Sequence, residues 1–292
     1  MIQFEKEFFD QLHTLKMNLP MYLSTGMNGA RKSSAKGSSV EFSDYREYIP
    51  GDDIRRIDWN AYGRTDKLYI KQFMEEKEGL FHIFVDTSAS MQFGEPSKAE
   101  RALQITAALS YLILGNLDRL YINEMRENTV VRGKGVTGMA AFSHVLETLS
   151  NMQFAGSTML NKAVMSRPLQ PGGVTFLISD FLDGEGVEEA VRYLAYHKQT
   201  ICFVQILAKE ELDITYEGTC NLQDMESGDK VKITMSKATI RQYMDSLAAL
   251  QEELGKLARR YGAYYISVRS DTPLEETCLL YTSPSPRDGL LS

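Results

Sequence analysis

Cysteine is scarce in this chain. The three present in 292 residues, Cys202, Cys220 and Cys278, have spacings that fit neither a disulfide framework nor a zinc motif. That argues against a stapled secreted scaffold and for a reducing compartment, the cytoplasm. No apolar run approaches the roughly 20 residues of a membrane span. The opening MIQFEKEFFDQLHTLKMNL also lacks the charged-then-apolar order of a signal peptide. Positive charge is not in excess: the formal net charge is -7 at pH 7, which speaks against nucleic acid as a partner. No Gly-x-x-x-x-Gly-Lys-Ser/Thr loop occurs, so the chain is not itself a P-loop ATPase. The four histidines, His13, His82, His144 and His197, sit in unrelated surroundings, and a serine hydrolase would need one of them placed beside a nucleophile elbow. His82 lies inside an apolar run and reads as a satisfied core residue.

What the chain does have is apolar content, 43%, enough for a sizeable core. Phe4, Phe8, Leu12, Leu15 and Leu19 recur at near-helical spacing and predict an N-terminal helix. NGARKSSAKGSS (28–39) reads as a locally basic loop, with a small anion or partner site as its less favoured reading. VEFSDYREYIPGDDIRRIDWNAYGRTDKLYIKQF (40–73) has no clean period and is expected to be irregular, ending in a strand. From Gly79 onward, strands and helices alternate. LFHIFV (80–85), GVTFLIS (173–179) and TICFVQIL (200–207) are continuous apolar runs, as in strands buried on both faces. Helical patterns over 98–117, 138–152, 158–167, 185–198 and 238–261 separate them. Short strands are expected at 120–125 and 129–133, a hairpin at 220–235 and a last strand at 263–268. The expectation is an α/β fold with a mostly parallel sheet and helices on both faces.

In such sheets functional residues gather beyond the carboxyl ends of the strands. Two apolar runs end there in aspartates, Asp86 and Asp180, and FAGSTML (154–160) lies between them. Asp86, Ser88, Ser90, Thr158 and Asp180 are therefore candidates to converge. Their carboxylate and hydroxyl oxygens are hard ligands suited to Mg²⁺. The alternative is that Ser88 or Ser90 merely caps the following helix. A haloacid-dehalogenase-type phosphatase would want a second carboxylate two residues after Asp86, where Ser88 stands and cannot serve as general acid. Asp183 carries little weight as an outlying carboxylate.

Asp86-Thr87-Ser88-Ala89-Ser90 resembles the Asp-x-Ser-x-Ser motif of von Willebrand factor A domains, with Thr158 and Asp180 similar to the remaining elements of their metal-ion-dependent adhesion site. The resemblance runs from about Gly79 to Val268. It implies a Rossmann-like fold and a bound Mg²⁺ or Mn²⁺. It also implies that Ser88, Ser90 and Thr158 ligate the metal, backed by Asp86 and Asp180, with a partner carboxylate completing the shell.

Upstream, Glu41, Phe42, Arg46, Tyr48, Gly51, Asp52, Arg55, Asp58, Trp59 and Arg64 match the signature of domain-of-unknown-function family 58. Members of that family carry the signature ahead of a von Willebrand A-like domain and often sit beside MoxR-type AAA+ ATPases. The resemblance thus implies a non-enzymatic, metal-dependent protein-binding module whose partner is such an ATPase or its client, acting in protein maturation. A metal-dependent phosphohydrolase, or a scaffold with a vestigial metal site, are the alternatives. One departure stands out: Leu117-Asp118-Arg119 occupies a turn where relatives commonly have Gly-Asp-Arg. Asp52, Arg55, Asp58 and Trp59 are expected to be structural, because buried Arg–Asp pairs can pin an irregular segment. CLLYTSPSPRD (278–288) is what a transposase-based sequencing adapter encodes when translated. The expected organisation is 1–78 for the helix, loop and signature, 79–277 for the von Willebrand A-like domain, and 278–292 as non-native.

Overall fold

The computed structural model describes residues 41–74, 78–184, 186–216, 218–223, 225 and 230–273. The expected N-terminal helix, the basic loop and the adapter-like tail lie outside the described residues. The chain divides into two units, with the described residues up to Gly79 in one and those from Leu80 in the other.

The signature segment is more regular than its sequence suggests. Strand β1 (Glu41–Glu47) pairs antiparallel with β2 (Tyr69–Met74), and helix α1 (Trp59–Thr65) lies between them in sequence. A register shift between Phe42 and Asp44 breaks the two-residue alternation, which hides β1 from a periodicity reading. Asp58 starts α1 by accepting from the Asn60 and Ala61 amides, and it also accepts from the Tyr45 hydroxyl at 2.8 Å. One Arg46 nitrogen donates to both Asp52 oxygens at 2.8 Å. Asp52 and Asp58 thus hold the segment together. Arg55 and Trp59 do not fit the structural role expected of them: the Arg55 side chain is 91% exposed and Trp59 is 64% exposed.

In the larger unit, β3 (Leu80–Asp86) leads to α2 (Lys98–Gly115), β4 (Arg119–Arg126), β5 (Thr129–Arg132), α3 (Phe142–Ser150) and α4 (Leu160–Met165). Then come β6 (Val174–Ser179), α5 (Val187–Tyr196), β7 (Thr200–Leu207) and the short α6 (Lys209–Leu212). The hairpin β8 (Gly218–Gln223) and β9 (Lys230–Met235) precedes α7 (Lys237–Tyr261) and β10 (Tyr264–Arg269). The sheet order is β10-β7-β6-β3-β4-β5, all parallel except the edge strand β5. This is the Rossmann-like von Willebrand A arrangement that the resemblance implied. Phe84, Leu177 and Phe203 pack on one face with residues of α4, α5 and α7. Their neighbours in sequence, including Ile83, Val85, Ile178 and Val204, are buried on the other face, toward α2.

This order positions the site. The chain enters at β3, goes to β4 on one side, then returns to β6 on the other. The carboxyl ends of β3 and β6 therefore flank a topological switch point, where open α/β sheets leave a crevice. Asp86 ends β3 and Asp180 follows β6. At the opposite end of β3, His82 is 4% exposed and stacked on Tyr121 with ring centroids 4.8 Å apart. Its expected satisfaction is incomplete, since Nδ1 finds no hydrogen-bond partner among the described residues. Burial, followed by the charge of Arg167, pulls its pKa down to about 4.

Candidate functional site

Fully buried strands deliver their last residues into a crevice with little freedom, and the turn after β3 is bonded tightly in place. Asp86 is 6% exposed. One of its oxygens accepts from the Ser88 amide at 2.9 Å and the other from the Ser179 hydroxyl at 2.6 Å. Burial, then the neighbouring charge of Asp180, pushes the Asp86 carboxyl above its ordinary range, against the opposing pull of the Ser179 and Ser88 hydrogen bonds. Ser88 occupies the position before a 3-10 turn (Ala89–Gln92), yet its side chain makes no capping bond. Its hydroxyl instead lies 3.0 Å from that of Ser90. The capping alternative therefore fails for α2 as well, which is capped by Ser97 accepting from the Glu100 amide.

Thr158 is brought to the same rim by backbone bonds. The Ala89 amide donates to Gly156 at 2.8 Å, and the Ala155 amide donates to Thr87 at 2.9 Å. Thr87 Oγ1 donates to the Met125 carbonyl at 2.6 Å, and Thr158 Oγ1 reaches the same carbonyl at 3.4 Å. Two residues beside the site, Glu127 and Phe181, adopt positive φ values of 50 and 54°, and strain of this kind collects where surrounding structure over-determines it.

Asp180 is set differently. It is 4% exposed, and one oxygen accepts from the Lys98 ammonium at 2.7 Å while the other accepts from the Leu182 amide at 3.2 Å. Its carbonyl is held by Gln205 at 2.9 Å, and the oxygen of that Gln205 amide accepts from the Tyr265 hydroxyl. Lys98 is 1% exposed and also donates to Glu211 at 2.6 Å. Burial works against its charge, but Asp180 and Glu211 outweigh it and hold the ammonium's pKa above its usual value. Tyr243 on α7 stands near the same group. Burial, then Glu211 and Asp180, pushes its hydroxyl up to about 12.

Sequence reasoning missed Lys98, Glu211, Ser179 and Gln205. One signal for Lys98 was present: a cation in the first turn of a helix opposes the macrodipole and calls for an acidic partner. Asp183 is an exposed loop residue. Among the described residues no three of His, Cys, Asp and Glu gather as a metal-ligand set. Asp86, Ser88, Ser90 and Thr158 are nevertheless a chemically fitting donor set for a hard divalent cation that keeps some of its waters. Asp180, paired with the buried Lys98 ammonium, fits as a charge beyond the direct ligands.

A family model described as "Protein of unknown function DUF58" matches residues 44–254. The uncharacterised protein Rv1480 of Mycobacterium tuberculosis is 27% identical over 267 residues, covering 89% of this chain and 84% of that one. Among solved structures, the conserved hypothetical protein BatB from Bacteroides thetaiotaomicron aligns with a TM-score of 0.43 and 14% identity, over 68% of this chain and 94% of that one. The VWA domain of SpRpn10 aligns at 0.38 and 10%, over 71% and 96%.

Proposed function

The chain belongs to the DUF58 family, and from that premise we propose that it is a divalent-metal-dependent protein-binding module rather than an enzyme. The observation that carries this reading is the rim at the β3 tip. A serine hydroxyl at a helix-start position declines its ordinary capping bond and turns to a second serine, beside a buried aspartate. Asp86, Ser88, Ser90 and Thr158 would hold Mg²⁺ or Mn²⁺. Bound there, the cation supplies a positive centre with a coordination position that a partner's carboxylate can complete.

The chain's own residues do the rest. The Ser88 amide and Ser179 hydroxyl fix the Asp86 carboxylate, and the bonds between 87–89 and 155–156 fix the distance between the two loops. Phe93, Met159 and Leu182 stand on the three loops that carry the site residues and are 41, 43 and 38% exposed. Apolar side chains around a polar centre suit a protein partner. The partner is a MoxR-type AAA+ ATPase or one of its clients, as the family resemblance implies. Among the described residues no helix is long and apolar enough to cross a membrane.

The test is binding of a purified MoxR-type ATPase from the same organism to the immobilised chain. Retention in Mg²⁺ that is lost in EDTA and in folded Asp86→Ala is the expected result. Equal retention in all three contradicts metal-dependent docking.

A further inference from the structure

The two aspartates at the switch point face different company, and the difference lies in one lysine. The Lys98 ammonium sits between Asp180 at 2.7 Å and Glu211 at 2.6 Å, with the side chain 1% exposed. Glu211 is itself anchored, accepting from the Ala208 amide at 2.7 Å through its other oxygen. The Gly94 loop leading into α2 is packed against the same turn, where a Cβ on Gly94 would come within 2.6 Å of that of Ala208. Lys98 is thus a buried internal cation held by two carboxylates. It takes up one Asp180 oxygen, and the Leu182 amide takes the other. Asp86 is the one site carboxylate left facing the serine pair without an ammonium on it.

We infer that Lys98 sets the divalent-cation affinity of this site by withholding Asp180 from it. This inference rests on the metal-dependent reading above. A second carboxylate released toward the cation would strengthen its hold, because opposite charges a few ångströms apart in a poorly solvated crevice interact strongly. With Lys98 in place the site takes its cation weakly and keeps Asp180 as a braced wall. Lys98 is thus a positioning residue that acts through Asp180.

The experiment is a Mn²⁺ titration followed by electron paramagnetic resonance, on wild type, Lys98→Met and Lys98→Met/Glu211→Gln. The double variant removes one of the two stranded carboxylates and keeps the test available if the single variant fails to fold. The expected result is Mn²⁺ affinity raised about tenfold or more in the folded variant, with the gain abolished by adding Asp86→Ala. Heat stability, lowered in the variant without metal, should be restored by Mn²⁺ more than it is in wild type. Mn²⁺ bound by wild type and variant with equal affinity, or more weakly by the variant, overturns the role of Lys98 and leaves the metal reading standing. Absence of Mn²⁺ binding by every one of these proteins overturns both.

Discussion

The tips of β3 and β6 look alike in sequence and differ in chemistry. Each is a buried parallel strand that runs into an aspartate at the same crevice. At the β3 tip the aspartate is wrapped by neutral donors, and burial raises its pKa. At the β6 tip the aspartate is locked to a buried ammonium that a second carboxylate also holds. A strand-end aspartate is therefore not one kind of group. Its neighbours decide whether it is available to a ligand or serves as part of the wall.

Removing the β6-tip cation is the harshest way to break this contrast. Lys98→Met leaves two carboxylates buried without their partner, so urea unfolding in metal-free buffer should show a loss of about 3–5 kcal/mol. Acid comes next, and it acts at the other end of β3. His82 has a folded pKa of about 4 against an ordinary 6.5, so the folded state favours its neutral form. Its contribution is complete above pH 6.5 and is lost as pH falls through about 4, to an extent of about 3 kcal/mol. His82→Phe should flatten the fall in stability between pH 7 and 4.5, which separates this effect from the two tips.

The β3 tip should respond far less than the β6 tip. Asp86→Asn can keep a carbonyl oxygen for the Ser88 amide and give a donor to Ser179, while removing a charge beside Asp180. Its metal-free stability at pH 7 should stay within about 1 kcal/mol of wild type. The smallest effect lies outside both tips. Leu117 has a φ of 60° and is 70% exposed just past the end of α2, where glycine is the favoured residue. Leu117→Gly should raise stability by about 0.5–1 kcal/mol in the same assay. Phe181→Gly should lower it, because that positive-φ residue is 3% exposed and packed edge-on against Phe203.

The sheet was legible because doubly buried strands leave long apolar runs, and 80–85, 173–179 and 200–207 read correctly as such. The departure from the family pattern at Leu117 was legible too, and it falls on a strained backbone position. β1 was not, because its bulge breaks the alternation that marks a strand. The candidate residues at the β3 tip could be named because Asp86 ends an apolar run and Asp86-Thr87-Ser88-Ala89-Ser90 resembles the von Willebrand A motif. Lys98 could not, since a helix-start lysine ordinarily reads as solvated and its partners lie 82 and 113 residues away along the chain. Burial of a charge is a property of three distant segments meeting, and no one of them announces it.

The most direct measurement is the number of Mn²⁺ ions bound per chain, read by electron paramagnetic resonance for wild type and for Asp86→Asn. One ion bound by wild type and none by the folded Asp86→Asn protein is the predicted result. The same binding in both, or none in wild type, would contradict a metal site at the β3 tip.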